Sequence, residues 1–446
     1  MCNLANNEIN LSKLQQISPF LFYVLKKELH AEKTKSKRGY KGINDYTNHL
    51  PEFINRTLKQ LEDLKSNPFL SFINHSNTEI AHLAEICASS NIIKSKNEHS
   101  PMIENVLARI PVNKISSRRM SSPRWWETRL SRQINQIKEH LLISLGMVQA
   151  KKSLYISNET IMLREKDIRE RVSFLSIRKV VNAETQEEKD TLLHMAMSGI
   201  ANPRIQKSEL TQILFGTYKY ALQHKHVCRF ITITLPKSFH ATTINGTPCS
   251  GWKGLTPKQA HDHLQGAWTK ARSALSEIAC YGTRFVEPHH DSTPHWHILV
   301  YIPQENDSKV ISTINKYFST IVDSSSFDSK IDMKLFTNEA VLHYMMKFLA
   351  SSFPGVADEN AINDKTGKPI SCEAKNAKLW ASQWGIRRFQ HFGLPEIGAW
   401  RECRKVRSHN ITHELGHAAE AVRHAADHGD FQGYIEAQGG IGIKRS

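Results

Sequence analysis

Residues 287–297 read Glu-Pro-His-His-Asp-Ser-Thr-Pro-His-Trp-His and continue as Ile-Leu-Val-Tyr-Ile to residue 302. This order leaves few structures open. The stretch His295–Ile302 is rich in β-branched and aromatic residues, so it reads as a strand. Side chains alternate along a strand, so His295 and His297 share one face while Trp296, Ile298 and Val300 take the other. The Trp296 side is then a core face. Arg284–Glu287 reads as a second strand, and a turn containing Asp291, Ser292 and Pro294 joins the two into an antiparallel hairpin. Two imidazoles on a rigid strand can chelate a divalent cation. A third ligand is available either from Glu287, at the end of the preceding strand, or from His289. Two His and a carboxylate leave coordination positions open for water and phosphate oxygens. The competing reading is a half-exposed surface pair of histidines.

The surrounding pattern sets the fold class. Phe230–Leu235 alternates and stops at Pro236, which marks another strand. Thr256-Pro257-Lys258-Gln259 gives an N-cap, a proline at the first helical position and Gln at the third. Leu264, Trp268, Ala271, Leu275 and Ile278 continue that helix to Gly282, read as its C-cap. A further helix starts at Thr337 and runs to about Ser352. Together these predict an α+β domain, with a central antiparallel sheet flanked by helices, over residues 228–405. Residues 1–115 form a polar helical region, in which Ile54, Leu58 and Leu61 recur at helical spacing. Within it, Ser76–Ser100 reads as a loose connection. Residues 116–227 form a basic helical region with Leu130, Ile134, Ile137 and Leu141 on one face. Residues 406–446 form a helical, then Gly-rich tail.

Tyr344 lies inside the predicted helix after the hairpin, in Leu342-His343-Tyr344-Met345-Met346-Lys347-Phe348. Helical spacing lines up Tyr344, Lys347 and Phe348. A tyrosine can attack a phosphodiester and hold the phosphoryl group covalently, and Lys347 can neutralise charge on the phosphate. The commoner fate of such a tyrosine is core packing beside Phe348.

Charge points to the partner. The chain has 446 residues, with 59 Lys and Arg against 43 Asp and Glu, a formal net charge of +16. An excess this large favours polyanions. No apolar run approaches the roughly 18 residues of a spanning segment. Neither a secretory leader nor a lipid-anchor signature is recognisable, so a membrane partner is not expected and a cytoplasmic location is. Seven widely spaced cysteines without a Cys-x-x-Cys fit a reducing compartment and argue against a thiolate zinc site. Arg109–Arg132 carries seven basic residues, among them Arg118, Arg119 and Arg124, against Glu127, with Trp125-Trp126 interleaved. Lys375–Arg407 carries eight, among them Arg387 and Arg388, against Glu396 and Glu402. Such stretches suit a nucleic-acid strand. For the Trp pair, core packing is the favoured reading over base stacking.

These residues carry a resemblance. His295-Trp296-His297, the upstream Glu287-Pro288-His289 and the downstream Tyr344 resemble the His-hydrophobe-His (HUH) endonucleases, and within them the replication gene A protein family of tailed bacteriophages and prophages. Phe230–Pro236 with Phe239-His240 is similar to the first strand of that family's catalytic domain. Trp125-Trp126 with Arg129-Leu130, Ala201-Asn202-Pro203, and Lys378–Phe389 followed by Trp400-Arg401-Glu402 are similar to its flanking segments. The resemblance covers roughly residues 115–440.

The resemblance implies a site-specific single-strand DNA endonuclease and ligase that nicks a phage origin through a 5′-phosphotyrosine at Tyr344 and so starts rolling-circle replication. It implies His295, His297 and Glu287 as ligands of Mg²⁺ or Mn²⁺, with single-stranded or supercoiled origin DNA as substrate. A host polymerase would extend the free 3′-OH. No Gly-x-x-x-x-Gly-Lys-Ser/Thr run is present, so a host helicase is expected to separate the strands. Alternatives are a relaxase or single-strand transposase of a mobile element, or an origin-binding protein that does not cut. Two departures stand out. Phe348 occupies the position, four residues on, where family members commonly carry a second Tyr. Ser292 replaces the usual Gly in the hairpin turn, where φ > 0 is wanted. His413-Glu414-Leu415-Gly416-His417 matches the zinc-protease pattern His-Glu-x-x-His. It sits in a His-rich tail with little chain left to build a cleft, and is read as an accidental match.

Overall fold

The computed structural model describes residues 11–37, 44–89, 117–322, 330–353, 362, 369–406 and 416–441. The chain forms two compact units. Residues 1–160, 240–256 and 290–292 make the first, and the remainder makes the second.

The first unit is helical. Helices α1 (Pro19–Lys37), α2 (Asn44–Asp63), α3 (Asn77–Ser89) and α4 (Pro123–Ser144) share one core. Ile54 and Leu61 of α2 are buried there, as are Leu130, Ile134, Ile137 and Leu141 of α4, so both predicted apolar faces are core faces. The expected loose connection at Ser76–Ser100 is corrected over its first half. Ser76 and Glu79 form a reciprocal capping box, with Glu79 Oε2 accepting from the Ser76 amide at 2.7 Å and Ser76 Oγ accepting from the Glu79 amide at 3.3 Å. Ile80, Leu83, Ala84 and Cys87 then bury one face of α3. Residues 90–100 lie outside the described residues. Trp126 is fully buried, and its indole Nε1 donates to the Met120 carbonyl at 2.7 Å. Trp125 is half-buried beneath the Arg129 guanidinium, 4.1 Å from its ring centre.

The second unit contains α5 (Asn158–Ser176, from Ile161 onward), the hairpin β1 (Lys179–Val181) and β2 (Glu188–Thr191), α6 (Pro203–Gln223) and a five-stranded sheet. The sheet order is β6 (Lys330–Phe336), β3 (Val227–Thr234), β5 (Pro294–Ile302), β4 (Tyr281–Pro288), β7 (Phe389–Phe392), and every neighbouring pair is antiparallel. Helices α7 (Pro257–Ala274), α8 (Asp307–Phe318), α9 (Asn338–Ser352), α10 (Ile370–Trp384), α11 (Ile397–Cys403), α12 (Gly416–Asp427) and α13 (Phe431–Ala437) complete it. The expected mixed fold with an antiparallel sheet is what forms.

The two faces of the sheet are unlike. On one, Trp296 is fully buried, 5.3 Å between ring centres from His261 of α7 and 6.2 Å from Phe318 of α8. Arg284 lies over Trp296 at 4.0 Å, with its guanidinium held by Gln265 and Gln390. On the other face, Phe230, Phe285, Leu299 and Tyr301 join Val341, Met345 and Phe348 of α9 in a single core. Gly282 is a correction. α7 ends at Ala274, and Gly282 is the second residue of β4. Its φ is +154°, and a Cβ there would stand 2.0 Å from the Leu299 carbonyl oxygen, so the close approach of β5 requires glycine.

Candidate active site

The hairpin closes through the His289 amide, which donates to the Thr293 carbonyl at 2.7 Å. Ser292 takes φ +78° at the tip, the left-handed geometry the turn calls for, although it is not glycine. Asp291 is fully buried and accepts from the Ala241 amide at 2.9 Å, with His240 Nδ1 3.1 Å away. The register of β4 on β5 places Glu287 directly across from His295 and Phe285 across from His297.

Glu287, His295 and His297 all point to the α9 side of the sheet. The two imidazole rings are 4.6 Å apart, and His297 Nε2 lies 3.7 Å from Glu287 Oε2. Burial pushes the Glu287 carboxyl up, but the imidazole of His297, with Arg388 and His289, overcomes this and holds it below the usual carboxylate range. His289, the competing third ligand, instead places its Nε2 3.0 Å from His295 Nδ1. Three residues not picked out from sequence complete this end of the sheet. Thr232 Oγ1 is 3.1 Å from His297 Nδ1, Thr234 Oγ1 is 3.4 Å from His295 Nδ1, and Asp332 of β6 pairs with Thr232. The alternation Phe230-Ile-Thr-Ile-Thr carried the signal, because it sets both threonines on the face opposite Ile231 and Ile233.

Thr337 caps α9, accepting from the Ala340 amide at 3.3 Å, so the predicted helix start is the observed one. Tyr344 is half-buried at the junction between the polar end of the sheet and its apolar part. Its ring centre lies 6.2 Å from that of His297, 4.2 Å from Phe230, and 6.2 Å from both Phe285 and Phe336. Burial, and then the charge of Glu287, raise the phenol well above its ordinary range. Phe348 lies 4.2 Å from Phe285 in the core, so the second position is a packing residue. Lys347 is exposed, while Val341, Met345 and Phe348 are buried, and so it stands outside the row that faces the sheet.

Four of the five arginines expected to contact DNA have described side chains. Arg119 and Arg124 are exposed in the first unit, and the Arg118 side chain lies outside what is described. Arg387 is exposed in the second unit. Arg388 is half-buried, and its Nη1 donates to the Ser352 carbonyl at 3.2 Å. Of the His-Glu-x-x-His run, His413 and Glu414 lie outside the described residues, and His417 is exposed.

The sequence profile of the bacteriophage replication gene A protein family matches residues 43–348, which takes in the hairpin, the His pair and Tyr344. The chain belongs to the bacteriophage replication gene A protein family. It is 33% identical over 345 residues to the replication gene A protein of Escherichia phage P2, covering 73% of this chain and 45% of that protein. It is 30% identical over 360 residues to the replication protein of Haemophilus phage HP1, covering 79% and 46%. A probable replication endonuclease from a prophage-like region of Shigella boydii is 28% identical over 348 residues, covering 73% and 42%. The chain thus spans about half the length of these gene A family relatives. No solved structure matches it. Among the described residues no helix is long and apolar enough to cross a membrane.

Among the described residues no group of three or more His, Cys, Asp or Glu side chains stands in a geometry that could hold a metal ion. The donor chemistry nevertheless fits. His297 Nε2 stands 3.7 Å from Glu287 Oε2 and its ring 4.6 Å from that of His295, so two imidazoles and a carboxylate, donor types that a divalent cation accepts, share one end of this sheet face.

Proposed function

We propose that this chain nicks and rejoins single-stranded DNA at a phage replication origin through a 5′-phosphotyrosine at Tyr344, and so initiates rolling-circle replication. The observation that carries this reading is the placement of Tyr344 beside His297, which is itself paired with His295 and Glu287 on one sheet face. His295, His297 and Glu287 would hold Mg²⁺ or Mn²⁺. When bound, the cation would supply Lewis-acid polarisation of the scissile phosphate.

The chain's own residues do the rest. Thr232 and Thr234 fix the orientation of the two imidazoles. Phe230, Phe285 and Phe336 hold the Tyr344 ring in place and keep water from its inner side. The raised phenol stays protonated until a phosphate arrives. As Tyr344 Oη bonds to phosphorus, the P–O3′ bond breaks, and the proton lost by the phenol is matched by the one gained at the departing 3′-OH. One phosphodiester is exchanged for another, so rejoining needs no nucleotide cofactor. Lys347, at the exposed edge of α9, would meet the DNA backbone rather than the ring. Arg118, Arg119, Arg124, Arg387 and Arg388 would grip the strand by its phosphates. A host polymerase would then extend the 3′-OH, and a host helicase would open the duplex. Phe348 favours one transfer per chain, because phenylalanine cannot attack.

The test is incubation with single-stranded origin DNA and Mn²⁺, followed by a denaturing gel. A DNA-sized upshift of the protein that disappears with EDTA is expected. Tight binding without any covalent species would favour a non-cleaving origin binder.

A further inference from the structure

Between Ile161 and Glu209 every residue is described and none is fully buried. This stretch holds most of α5, the β1–β2 hairpin and a short helical turn, Leu192–Met197. It is anchored at its root, where Arg164 donates to Gln383 at 2.6 Å and Lys375 pairs with Glu165. Among the described residues it carries ten of the nineteen large apolar side chains that are exposed, including Ile168, Val172, Phe174, Ile177 and Met195. Ile168 and Val172 are neighbours at i and i+4 on α5. Soluble proteins seldom leave apolar surface of this density uncovered without a partner.

Charge identifies the partner. The chain is strongly basic, yet this arm holds nine basic and eight acidic residues, so it lacks the net charge that draws a polyanion. The charge is also divided. Ile161–Val181 carries six basic residues against three acidic, whereas Asn182–Asp190 carries one against four. In a two-fold arrangement, the basic segment Ile161–Val181 of one copy, whose excess is concentrated at Arg171, Arg178 and Lys179, meets the acidic hairpin tip of the other, twice over. A 19-residue helix is about 28 Å long, the scale over which an interface between copies extends.

We infer that the arm Ile161–Glu209 pairs two copies of this chain, with its apolar side chains in the interface and the charges of the Arg171–Lys179 stretch and the hairpin tip aligned across it. The inference stands apart from the nicking chemistry, although a pair brings two Tyr344 side chains into one assembly whose chains each carry Phe348. Sedimentation velocity of the full chain across the micromolar range tests it. A dimer is expected, and Ile168→Asp with Val172→Asp should weaken it at least about tenfold. Unchanged circular dichroism would show that the exposed substitutions leave the fold intact. Arg171→Glu with Arg178→Glu, and Glu184→Lys with Glu187→Lys, should each dimerise poorly alone and recover a mixed dimer when combined. A wild-type chain that stays monomeric throughout, or a dimer indifferent to the paired Asp substitutions, overturns the inference. Adduct formation on Tyr344 is read separately, so failure of one does not mimic failure of the other.

Discussion

Thr232 stands directly across the β3–β5 pair from His297, and its hydroxyl lies 3.1 Å from the imidazole Nδ1. A hydroxyl at that position orients the ring, whose Nε2 faces Glu287 Oε2 at 3.7 Å. Thr232→Val keeps the β-branched shape and removes the hydroxyl. It should weaken Mn²⁺ binding, measured by titration calorimetry, by about 10–100-fold. Thr232→Ser should restore most of it. Equal binding by the Val and Thr forms would remove Thr232 from the site.

The opposite sheet face predicts an acid-labile fold. Burial, and then the charges of Arg284 and Lys258, push His261 down to about 3. The Trp296 indole Nε1 donates to its Nδ1 at 3.3 Å, which requires a neutral ring. The folded value lies below the unfolded one of about 6.5. The stability held by neutral His261 is therefore fully present above pH 6.5 and is lost as pH falls from there toward 3. Urea unfolding at pH 7 and pH 5 should show that loss, and His261→Asn should reduce its pH dependence. A wild-type stability flat over this range would contradict the assignment.

Exposed arginines should act through phosphate. Arg124→Ala and Arg387→Ala should each weaken binding of unrelated single strands about equally, and each should reduce the slope of log affinity on log salt by roughly 0.7. Fluorescence anisotropy at several salt concentrations reads both quantities. An unchanged slope would place those side chains off the DNA path.

Much of the site was legible because short-range pattern decides it. Alternation alone set His295 and His297 apart from Trp296, and Thr337 announced the helix that carries Tyr344. Other features depend on contacts no local pattern encodes. Thr232, Thr234 and Asp332 join the site through strand register. Gly282 is needed because the Leu299 backbone approaches it, a long-range contact that imitates a helix cap in sequence. Residues 240–256 pack with the N-terminal helices although they lie between β3 and α7, which no composition shift announces. The Ser76–Glu79 capping box was local and readable, but its Ser, Asn and His surroundings masked it. Lys347 turned outward because a position three residues from Tyr344 falls at the edge of the buried stripe, a distinction finer than helical spacing resolves.

The chemistry turns on one oxygen atom. After reaction with single-stranded origin DNA and Mn²⁺, nuclease trimming and peptide mass spectrometry should find a 5′-phosphonucleotide on the peptide containing Tyr344, and Tyr344→Phe should yield no adduct while still binding DNA. An adduct on another residue, or one that persists in Tyr344→Phe, would contradict the assignment of Tyr344 as the nucleophile.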